Sequence, residues 1–334
     1  MPLVSVIIPC YNEQATIRLL LEAIHHQTYP RSDIEVIIAD GRSTDQTRAE
    51  VAGFQQDHPD LAVRLVDNPR RMIPAALNCA LAAACGAYVV RLDAHSVPAK
   101  DYIERCVASL AADLGENVGG VWEIRPRGNG LVPRAIAVAA AHPFGVGDAL
   151  YRFTNQAGYV DTVPFGAFRR EVFEKFGHFD ETLLTNEDYE FNARLRQQGG
   201  RIWLDPRIRS TYFARDSLKA LAQQYWRYGY WKLRMLKRYP KTLRWRQGLP
   251  PVFVLSLVGW LLLALAWQPA VHLLAVELFA YGLILVMGSL PAVRKHNDLR
   301  LALIVPLAIA CMHVSWGAGF LWSMIQNSLH IKPY

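Results

Sequence analysis

Acidic residues are missing from a long stretch of this 334-residue chain, which has no Asp or Glu from Ser217 to Val276. After Leu249 the sequence consists mostly of Leu, Val, Ala, Ile, Phe and Trp, whereas the first 216 residues have the mixed polarity of a soluble domain. Charged residues make up 19% of the chain, below the roughly 25% usual in globular proteins. The sequence therefore predicts a domain boundary between residues 216 and 250.

Paired cysteines and a signal peptide are also lacking. An odd, scattered set of cysteines without a C-x-x-C motif indicates free thiols in a reducing cytosol. The apolar stretch Val4 to Pro9 is too short for a signal peptide and has no basic residues before it, so we expect none. The five cysteines are Cys10, Cys79, Cys85, Cys106 and Cys311.

The net charge of +7 is concentrated beside the apolar part of the chain. Nine Lys or Arg residues lie between Lys219 and Arg246, immediately before the first apolar run. Basic residues in that position are typical of a segment attracted to anionic lipid head groups. We therefore expect membrane lipids as partners and no nucleic acid.

Three apolar runs follow, and each reaches the roughly 20 residues that a helix needs to cross about 30 Å of hydrocarbon. The alternative, a buried helical hairpin in a soluble core, fits three successive runs poorly. Polar residues inside the runs are costly in lipid, and we expect Glu277 to face another helix or a polar cavity. The predicted spans are 249–267, 271–290 and 301–325.

Charge asymmetry predicts the orientation of these spans, because basic loops stay on the cytosolic side. The basic segment before the first run and the link containing Arg294, Lys295 and Arg300 are both expected in the cytosol, and the C-terminus outside. The predicted organisation is a cytosolic domain (1–216), a basic amphipathic interfacial helix region (217–248) and a three-helix anchor (249–334) in the cell's inner (plasma) membrane.

The first 112 residues alternate between short β-rich runs and helical patterns, which predicts a mostly parallel sheet covered by helices on both faces. Asp45 is expected to be the N-cap of the second helix. The predicted strands are Val4–Ile8, Ile34–Ala39, Ala62–Val66 and Tyr88–Leu92, and the predicted helices are Ala15–His26, Asp45–Gln56, Pro74–Ala84 and Asp101–Ala112.

Polar residues follow three of these strands, in the segments 9–13, 40–45 and 93–95. Ligands in parallel sheets bind outside the carboxyl ends of the strands, so we expect these segments to converge on one edge. The sequence has no G-x-G-x-x-G and no G-K-[ST] motif, and therefore supports neither a dinucleotide-binding fold nor a P-loop.

Five stretches resemble family 2 glycosyltransferases, and they occur in the family's order between Val4 and Gly200. The resemblance implies the α/β GT-A fold, a Rossmann-like, mostly parallel sheet with helices on both faces. The variant Asp93-Ala94-His95, followed by membrane helices, is most similar to the succinoglycan-type exopolysaccharide glucosyltransferases. The stretches are SVIIPCYNE, VIIADGRSTDQT, RLDAH, FGAFRREVFEKFGHFDE and NEDYEFNARLRQQG.

The resemblance assigns the donor site to the first three stretches. Pro9, Tyr11 and Glu13 would border the nucleotide, and Asp40 would accept a hydrogen bond from uracil. Asp93 would open the D-x-D motif that holds ribose and a metal on the diphosphate. The third position of that motif is His95 here, and imidazole suits Mn²⁺ better than Mg²⁺. The alternative explanation for Asp40 and Asp93 is that Asp favours turns, which follow strands. The alternative for His95 is a loop histidine that binds no ligand.

The resemblance also places an acidic pair on the acceptor side, Glu187-Asp188, with Asp188 as general base. One carboxylate can remove the proton of the acceptor hydroxyl as that oxygen attacks the anomeric carbon. Because the reaction is a single displacement, it inverts the configuration at that carbon. The competing explanation is structural, because the pair precedes a helix predicted from Tyr189 to Gln198, where a carboxylate favours the N-terminus.

Gln224, Arg227 and Tyr228 resemble the Q-x-x-R-W motif of membrane-bound polysaccharide synthases, with Tyr in place of Trp. The motif implies diphosphate binding by Arg227 and sugar stacking by Tyr228. The segment Ser217–Arg238 also reads as an interfacial helix whose aromatic residues lie at head-group level. These aromatic residues are Trp226, Tyr228, Tyr230 and Trp231.

Four functions fit these observations. The leading expectation is an inverting transferase that moves a sugar, glucose from UDP-glucose, onto a polyprenyl-diphosphate-linked oligosaccharide in exopolysaccharide or cell-surface glycan synthesis. A processive polysaccharide synthase and a polyprenyl-phosphate glycosyltransferase are enzymatic alternatives. A membrane scaffold with a degenerate transferase fold is the non-enzymatic one, and only His95 favours it.

Overall fold

The computed structural model describes residues 3–183, 186–242 and 244–329. The chain divides into two compact units. The sheet unit consists of Met1–Glu123 and Leu150–Tyr212, and the helical unit consists of Ile124–Ala149 and Phe213–Tyr334. The segment Ile124–Ala149 therefore groups with the C-terminal helices, although it lies within the range 1–216 that the sequence suggests for one domain.

The strands of the described residues form one nine-stranded sheet with the order β3-β2-β1-β4-β8-β6-β9-β5, and β7 pairs with β9. The pairs β1–β2, β1–β4 and β2–β3 are parallel, whereas β4–β8, β6–β8, β5–β9 and β7–β9 are antiparallel. The strands are β1 Val4–Cys10, β2 Ile34–Asp40, β3 Ala62–Asp67, β4 Tyr88–Arg91, β5 Val97–Pro98, β6 Asn117–Arg125, β7 Gly158–Tyr159, β8 Ala167–Arg169 and β9 Ile202–Phe213.

In the described part of the sheet unit, six α-helices accompany the strands, and the first four confirm the helices predicted from the sequence to within two residues at each end. The N-cap prediction was wrong by one residue: α2 has Gln46 at that position. Asp45 instead accepts hydrogen bonds from the backbone N–H and the hydroxyl of Thr47. The helices are α1 Ile17–His25, α2 Thr47–Asp57, α3 Ile73–Ala83, α4 Tyr102–Ala111, α7 Glu171–Phe176 and α8 Glu187–Gln197.

Strand β1 shows why an unbroken apolar run forms the centre of this sheet. Val4, Val6 and Ile8 belong to one hydrophobic cluster, with the apolar face of α1. Ile7 points to the other face and belongs to a second cluster, with Phe168. Successive side chains of a strand point to opposite faces, so a strand that is covered on both sides must be apolar throughout.

The helical unit contains three helices that are long and apolar enough to cross a membrane, as the three apolar runs predict. Among the described residues these spans are Arg246–Ala264, Pro269–His296 and Leu301–Ser328, of 19, 28 and 28 residues. The second span continues past its predicted end at Leu290, through Pro291. The helices of this unit are α5 Leu131–Ala141, α6 Pro143–Val146, α9 Leu218–Arg238, α10 Trp245–Ala264, α11 Pro269–His296 and α12 Leu301–Ser328.

The carboxyl group of Glu277 in α11 faces α10, as expected for an acidic residue inside an apolar span. It accepts hydrogen bonds from the Ser256 hydroxyl at 2.6 Å and from the indole N–H of Trp260 at 2.7 Å. A polar group that is removed from water costs free energy unless it is hydrogen-bonded. The Ser256 hydroxyl and the Trp260 indole therefore provide the hydrogen bonds that this carboxylate could not obtain from water inside an apolar span.

Helix α9 is the predicted interfacial helix, but part of the prediction was wrong. Tyr230 and Trp231 are only 5% and 8% exposed, so the protein encloses their rings, contrary to the expectation that they contact head groups, and the placement of α9 at the membrane surface stays a prediction. They are buried because α9 packs closely along α12. The Tyr230 hydroxyl donates to the Gln326 side chain across that contact at 2.8 Å.

Glycines allow this close approach of α9 and α12. A Cβ atom added at Gly319 would lie 2.3 Å from the carbonyl oxygen of Trp226, and one added at Gly229 would lie 2.0 Å from that of Trp316. Small residues at helix contacts let backbones approach closely in membrane proteins. Neither position has room for a side chain unless the helices move apart.

We predict that Gly319→Ala lowers the thermal unfolding temperature of the detergent-purified protein, because overpacking typically costs about 1–3 kcal/mol. Gly282→Ala in α11 is the matched control, since a Cβ atom there would meet nothing within 4 Å. The control should be neutral or slightly stabilising, because Ala favours helix over Gly. Equal stability of the two variants would contradict the close packing of α9 on α12.

Candidate active site

The loops after β1 and β2 are joined by hydrogen bonds at the carboxyl edge of the parallel strands. The backbone N–H of Asn12 donates to the Ser43 hydroxyl, and the Asn12 side chain accepts from the backbone N–H of Thr44, both at 2.8 Å. The backbone N–H of Glu13 donates to the Thr47 hydroxyl at 2.8 Å. Two of the three polar segments therefore meet at one edge, as the sequence predicts.

The third segment joins them through His95. Its Nδ1 lies 3.0 Å from the Glu13 carboxylate, and its side chain is exposed. Burial acts to raise the pKa of Glu13, but hydrogen bonds from His95 and Thr16 outweigh it and lower that pKa below its usual value. Glu13 is therefore an anion that faces the imidazole.

Tyr11 presents an aromatic ring at this edge and is 44% exposed. A Cβ atom at Gly41 would lie 3.1 Å from the ring, so the glycine lets the β2 loop pass close beneath it. The guanidinium of Arg71 lies 5.8 Å from the ring centroid. An exposed ring with a cation nearby can stack against a planar or sugar ligand. Pro9, the preceding predicted residue of this loop, is half-buried within β1.

Asp40 is fully buried, and both of its carboxylate oxygens already have partners. Oδ1 accepts from the Ser43 hydroxyl, and Oδ2 accepts from Nε of Arg48, both at 2.5 Å. The backbone N–H of Ser43 adds a turn-type contact at 3.1 Å. A hydrogen bond from a nucleobase would have to replace or share one of these partners, so the predicted role of Asp40 in binding uracil stays a prediction.

Arg91 lies at the centre of the acidic groups, and the sequence reading did not single it out. It is only 4% exposed. One of its nitrogens, Nη2, lies 3.2 Å from Oδ1 of Asp93 and 2.8 Å from Oε1 of Glu187. Its other terminal nitrogen, Nη1, is buried without a hydrogen-bond partner among the described residues. A single buried guanidinium thus links the D-x-D segment to the acidic pair.

A signal for Arg91 was present in the sequence. A lone arginine in the apolar run Tyr88–Leu92 is unusual, because a buried charge requires a partner. The sequence pattern could not identify the partner of Arg91, because Glu187 is 96 positions away along the chain.

The acidic pair begins α8, two residues earlier than the predicted start at Tyr189. Burial raises the pKa of Glu187, and the neighbouring Asp188 acts in the same direction, while Arg91 opposes both. Asp188 is half-buried, and its Oδ1 accepts from the backbone N–H of Tyr189 at 2.7 Å. The first turn of a helix stabilises such a carboxylate. Asp188 is the more accessible member of the pair, and its predicted role as general base stays a prediction.

Asp93 and His95 provide a carboxylate oxygen and an imidazole nitrogen at the same edge, and both are accessible from outside. This donor set fits a divalent cation of the Mn²⁺ type, which accepts both ligand classes. Arg91 holds one oxygen of Asp93. The second oxygen of that carboxylate can therefore face a ligand while the first is fixed.

Gln224, Arg227 and Tyr228 lie on α9 in the helical unit. The side-chain amide of Gln224 donates to the Tyr228 hydroxyl at 2.9 Å, while Arg227 is exposed. Arg227 borders a groove of about 530 Å³ that Trp226, Gln223 and Ser315 also line. Because these residues belong to the other unit, the predicted grouping of Arg227 with Asp188 stays a prediction.

Several known proteins are similar to this chain over most of its length. The succinoglycan biosynthesis protein ExoA of Rhizobium meliloti is 30% identical over 319 residues, 94% of this chain and 93% of that protein. A Methanococcus voltae enzyme, dolichyl N-acetyl-alpha-D-glucosaminyl phosphate 3-beta-D-2,3-diacetamido-2,3-dideoxy-beta-D-glucuronosyltransferase, is 24% identical over 338 residues, 99% of this chain and 100% of that protein.

The fold is similar to a solved transferase structure. The mannosyltransferase PcManGT from Pyrobaculum calidifontis, in complex with GDP-Man and Mn²⁺, matches with a TM-score of 0.60 and 23% identity, over 99% of this chain and 88% of that one. This likeness confirms the GT-A fold that the sequence motifs imply. Residues 5–177, which contain β1 to β4 with their polar loops, match the family described as Glycosyl transferase family 2. The chain therefore belongs to glycosyl transferase family 2.

Proposed function

We propose that this glycosyltransferase moves a sugar from a nucleoside-diphosphate donor onto a lipid-linked acceptor at the cytosolic face of the plasma membrane, with inversion. The observation that carries the proposal is the link through Arg91, which holds Asp93 and the Glu187-Asp188 pair at one edge of the sheet. Three candidate spans in the same chain support an acceptor embedded in the membrane.

The donor would bind at the three joined loops. Tyr11 and Pro9 would border the base, and Glu13, Asp40 and Asp93 would contact the nucleotide. The motifs of the sequence favour UDP-glucose, and the similar mannosyltransferase binds GDP-Man, so both nucleotides belong in a donor screen. A divalent cation on Asp93 and His95 would neutralise charge that develops on the departing diphosphate.

Asp188 would act as the general base. It would accept the proton of the acceptor hydroxyl as that oxygen forms a bond to the anomeric carbon and the bond from that carbon to the diphosphate oxygen breaks. A single displacement of this kind inverts the anomeric configuration. Glu187 is buried against Arg91 and would position the start of α8 rather than meet the substrate.

The acceptor would be a polyprenyl-diphosphate-linked sugar. The name of the Methanococcus voltae relative includes a dolichyl phosphate sugar, which supports a lipid carrier. Arg227 is exposed beside a groove on the helical unit, where a guanidinium can hold a diphosphate through paired hydrogen bonds. The basic residues between Lys219 and Arg246 would keep this face in the cytosol and leave the C-terminus outside.

We predict that Asp188→Asn abolishes turnover while donor binding persists. Loss of a general base costs about 100- to 10,000-fold in rate, and the amide preserves the shape of the side chain. The measurement is release of free nucleoside diphosphate from UDP- and GDP-sugars, with Mn²⁺ or Mg²⁺ and a lipid-linked acceptor, beside nucleotide binding by calorimetry.

Glu171→Gln is the matched control for Asp188→Asn, because Glu171 is an exposed acid in the first turn of another helix of the same unit. It should retain full activity. Full turnover in Asp188→Asn would exclude this residue as the base. Absence of nucleotide binding in the unaltered protein would overturn the donor site and favour the scaffold alternative.

We predict that Arg91→Met is strongly destabilising as well as inactive, since it leaves Asp93 and Glu187 without their buried counter-charge. Breaking a buried pair typically costs about 3–5 kcal/mol. Arg91→Lys should recover part of the stability, because it keeps one positive charge at the site. Chemical denaturation measures both effects.

The control for Arg91→Met is Arg70→Met, which removes an exposed arginine paired with Glu181. Exposed pairs contribute about 0–1 kcal/mol, so little change is expected. If Arg91→Met unfolded at the same denaturant concentration as Arg70→Met, the guanidinium would not be what holds the acidic groups together.

We predict that Arg227→Gln raises the KM for the lipid-linked acceptor at least tenfold and leaves the affinity for the nucleotide unchanged. Lys219→Gln removes an equal charge from the first turn of the same helix and should change neither quantity. An equal effect of both variants would indicate general attraction to the membrane instead of a diphosphate contact.

A further inference from the structure

A second cluster of metal-ligating side chains lies at the opposite edge of the parallel strands. His25 is the last residue of α1, His58 follows the last residue of α2, and Asp60 lies just before β3. Both helices start near the carboxyl ends of the strands and run back towards the amino ends. The cluster is therefore separated from the candidate active site by the length of the strands.

The three side chains converge closely. One possible ligand atom from each lies within 4.8 Å of the other two, in the described part of the chain. Nε2 of His25 is 3.1 Å from Oδ1 of Asp60, and the two imidazole rings are 4.3 Å apart between centroids. Tetrahedral zinc ligands lie roughly 3.3 Å apart, given zinc–ligand bonds of about 2.0–2.1 Å. His58 and Asp60 are sufficiently exposed to make that small adjustment.

Neighbouring residues hold the side chains of Asp60 and His58 in place through hydrogen bonds and ion pairs, as neighbours of metal ligands commonly do. Arg31 donates from Nε to Oδ2 of Asp60 at 2.7 Å, which leaves Oδ1 directed at His25. The carboxylate of Glu22 lies 3.4 Å from Nε2 of His58 and orients that ring beside the cluster.

His25 carries an unused polar atom. Its Nδ1 is buried and has no hydrogen-bond partner among the described residues. A neutral imidazole has one N–H and one lone pair, and only Nε2 is engaged, by Asp60. Nε2 is the nitrogen that faces Asp60, so an ion bound there would leave the proton on Nδ1 and would replace the hydrogen bond that Nε2 now makes.

The backbone also favours a cation here. His25 lies in the last turn of α1, and His58 is the C-cap of α2. The C-terminal ends of two helices thus lie beside the cluster, and each helix end carries partial negative charge. Anionic Asp60 adds to this field.

We propose that His25, His58 and Asp60 bind a zinc-type transition-metal ion that fastens the end of α1 to the end of α2. Two imidazoles and carboxylate oxygens suit Zn²⁺, whereas Mg²⁺ and Ca²⁺ prefer oxygen ligands alone. An ion bound at this edge touches no group of the donor site. Its effect is on stability, since a ligand that binds only the folded state raises the unfolding temperature.

The test uses the full detergent-purified chain after chelator treatment, with Zn²⁺ as the probe. In the Asp93→Asn background, which removes the proposed donor-side cation site, equilibrium dialysis should give one zinc per chain, and saturating zinc should raise the unfolding temperature by on the order of 5 °C. His58→Gln and Asp60→Asn, both at accessible side chains, should each weaken zinc binding at least tenfold and remove the thermal shift.

His26→Gln is the matched control, because His26 is the exposed neighbouring histidine, lies outside the converging cluster and hydrogen-bonds through Nδ1 to the carbonyl of Glu22. It should bind zinc as the unaltered protein does. Unchanged zinc binding in His58→Gln, or no thermal shift in the unaltered protein, would overturn the site. The readouts are binding and unfolding, so a failure of the transferase proposal leaves this result interpretable.

Discussion

The buried guanidinium of Arg91 is the interaction on which the candidate active site depends. Asp93 at the end of β4 and Glu187 at the start of α8 are 94 positions apart (187 − 93) and share one nitrogen of this side chain. Without a cation between them, these carboxylates and Asp188 would repel one another in a poorly solvated place. The arginine therefore fixes the position of Glu187, on the proposed acceptor side, relative to Asp93, on the proposed donor side. Its ion pairs are with Asp93 and Glu187, and Asp188 is the neighbouring acid outside these two pairs.

The parallel half of the fold and its loops could be predicted from the sequence because their signals are local. The apolar runs of β1 and β2 require cover on both faces, and the polar residues that follow them must meet at one edge. The antiparallel half was not predictable in this way. Strand β8 has three residues, too few for a pattern, and its partners β4 and β6 are distant in sequence. The Arg91–Glu187 pair was hidden for the same reason, although a lone arginine in an apolar strand marked one end of it.

In the helical unit, length and composition predicted the spans, whereas the placement of aromatic residues was ambiguous. Tyr230 and Trp231 follow a basic segment, a pattern shared by helices at a lipid surface and helices packed on a neighbour. The glycines distinguish the two cases. Gly229 and Gly319 leave no room for a Cβ atom between α9 and α12, so the aromatic residues beside Gly229 are enclosed by the contact. Glycine spacing was the sequence signal that could have separated burial from exposure.

The two edges of the parallel strands have opposite chemistry for one topological reason. Every crossover helix between parallel strands starts near a carboxyl end and finishes near an amino end. The carboxyl edge therefore gathers helix N-termini, which favour anions such as a diphosphate. The amino edge gathers helix C-termini, which favour cations. The donor loops occupy the first edge, and His25, His58 and Asp60 occupy the second. A bound cation at the second edge would hold α1 and α2 together, and the joined loops that precede those two helices carry Tyr11, Glu13 and Asp40. The connectivity that brings the loops of the proposed donor site together therefore also brings the ends of α1 and α2 together at the opposite edge, where a bound cation could hold them without entering the donor site.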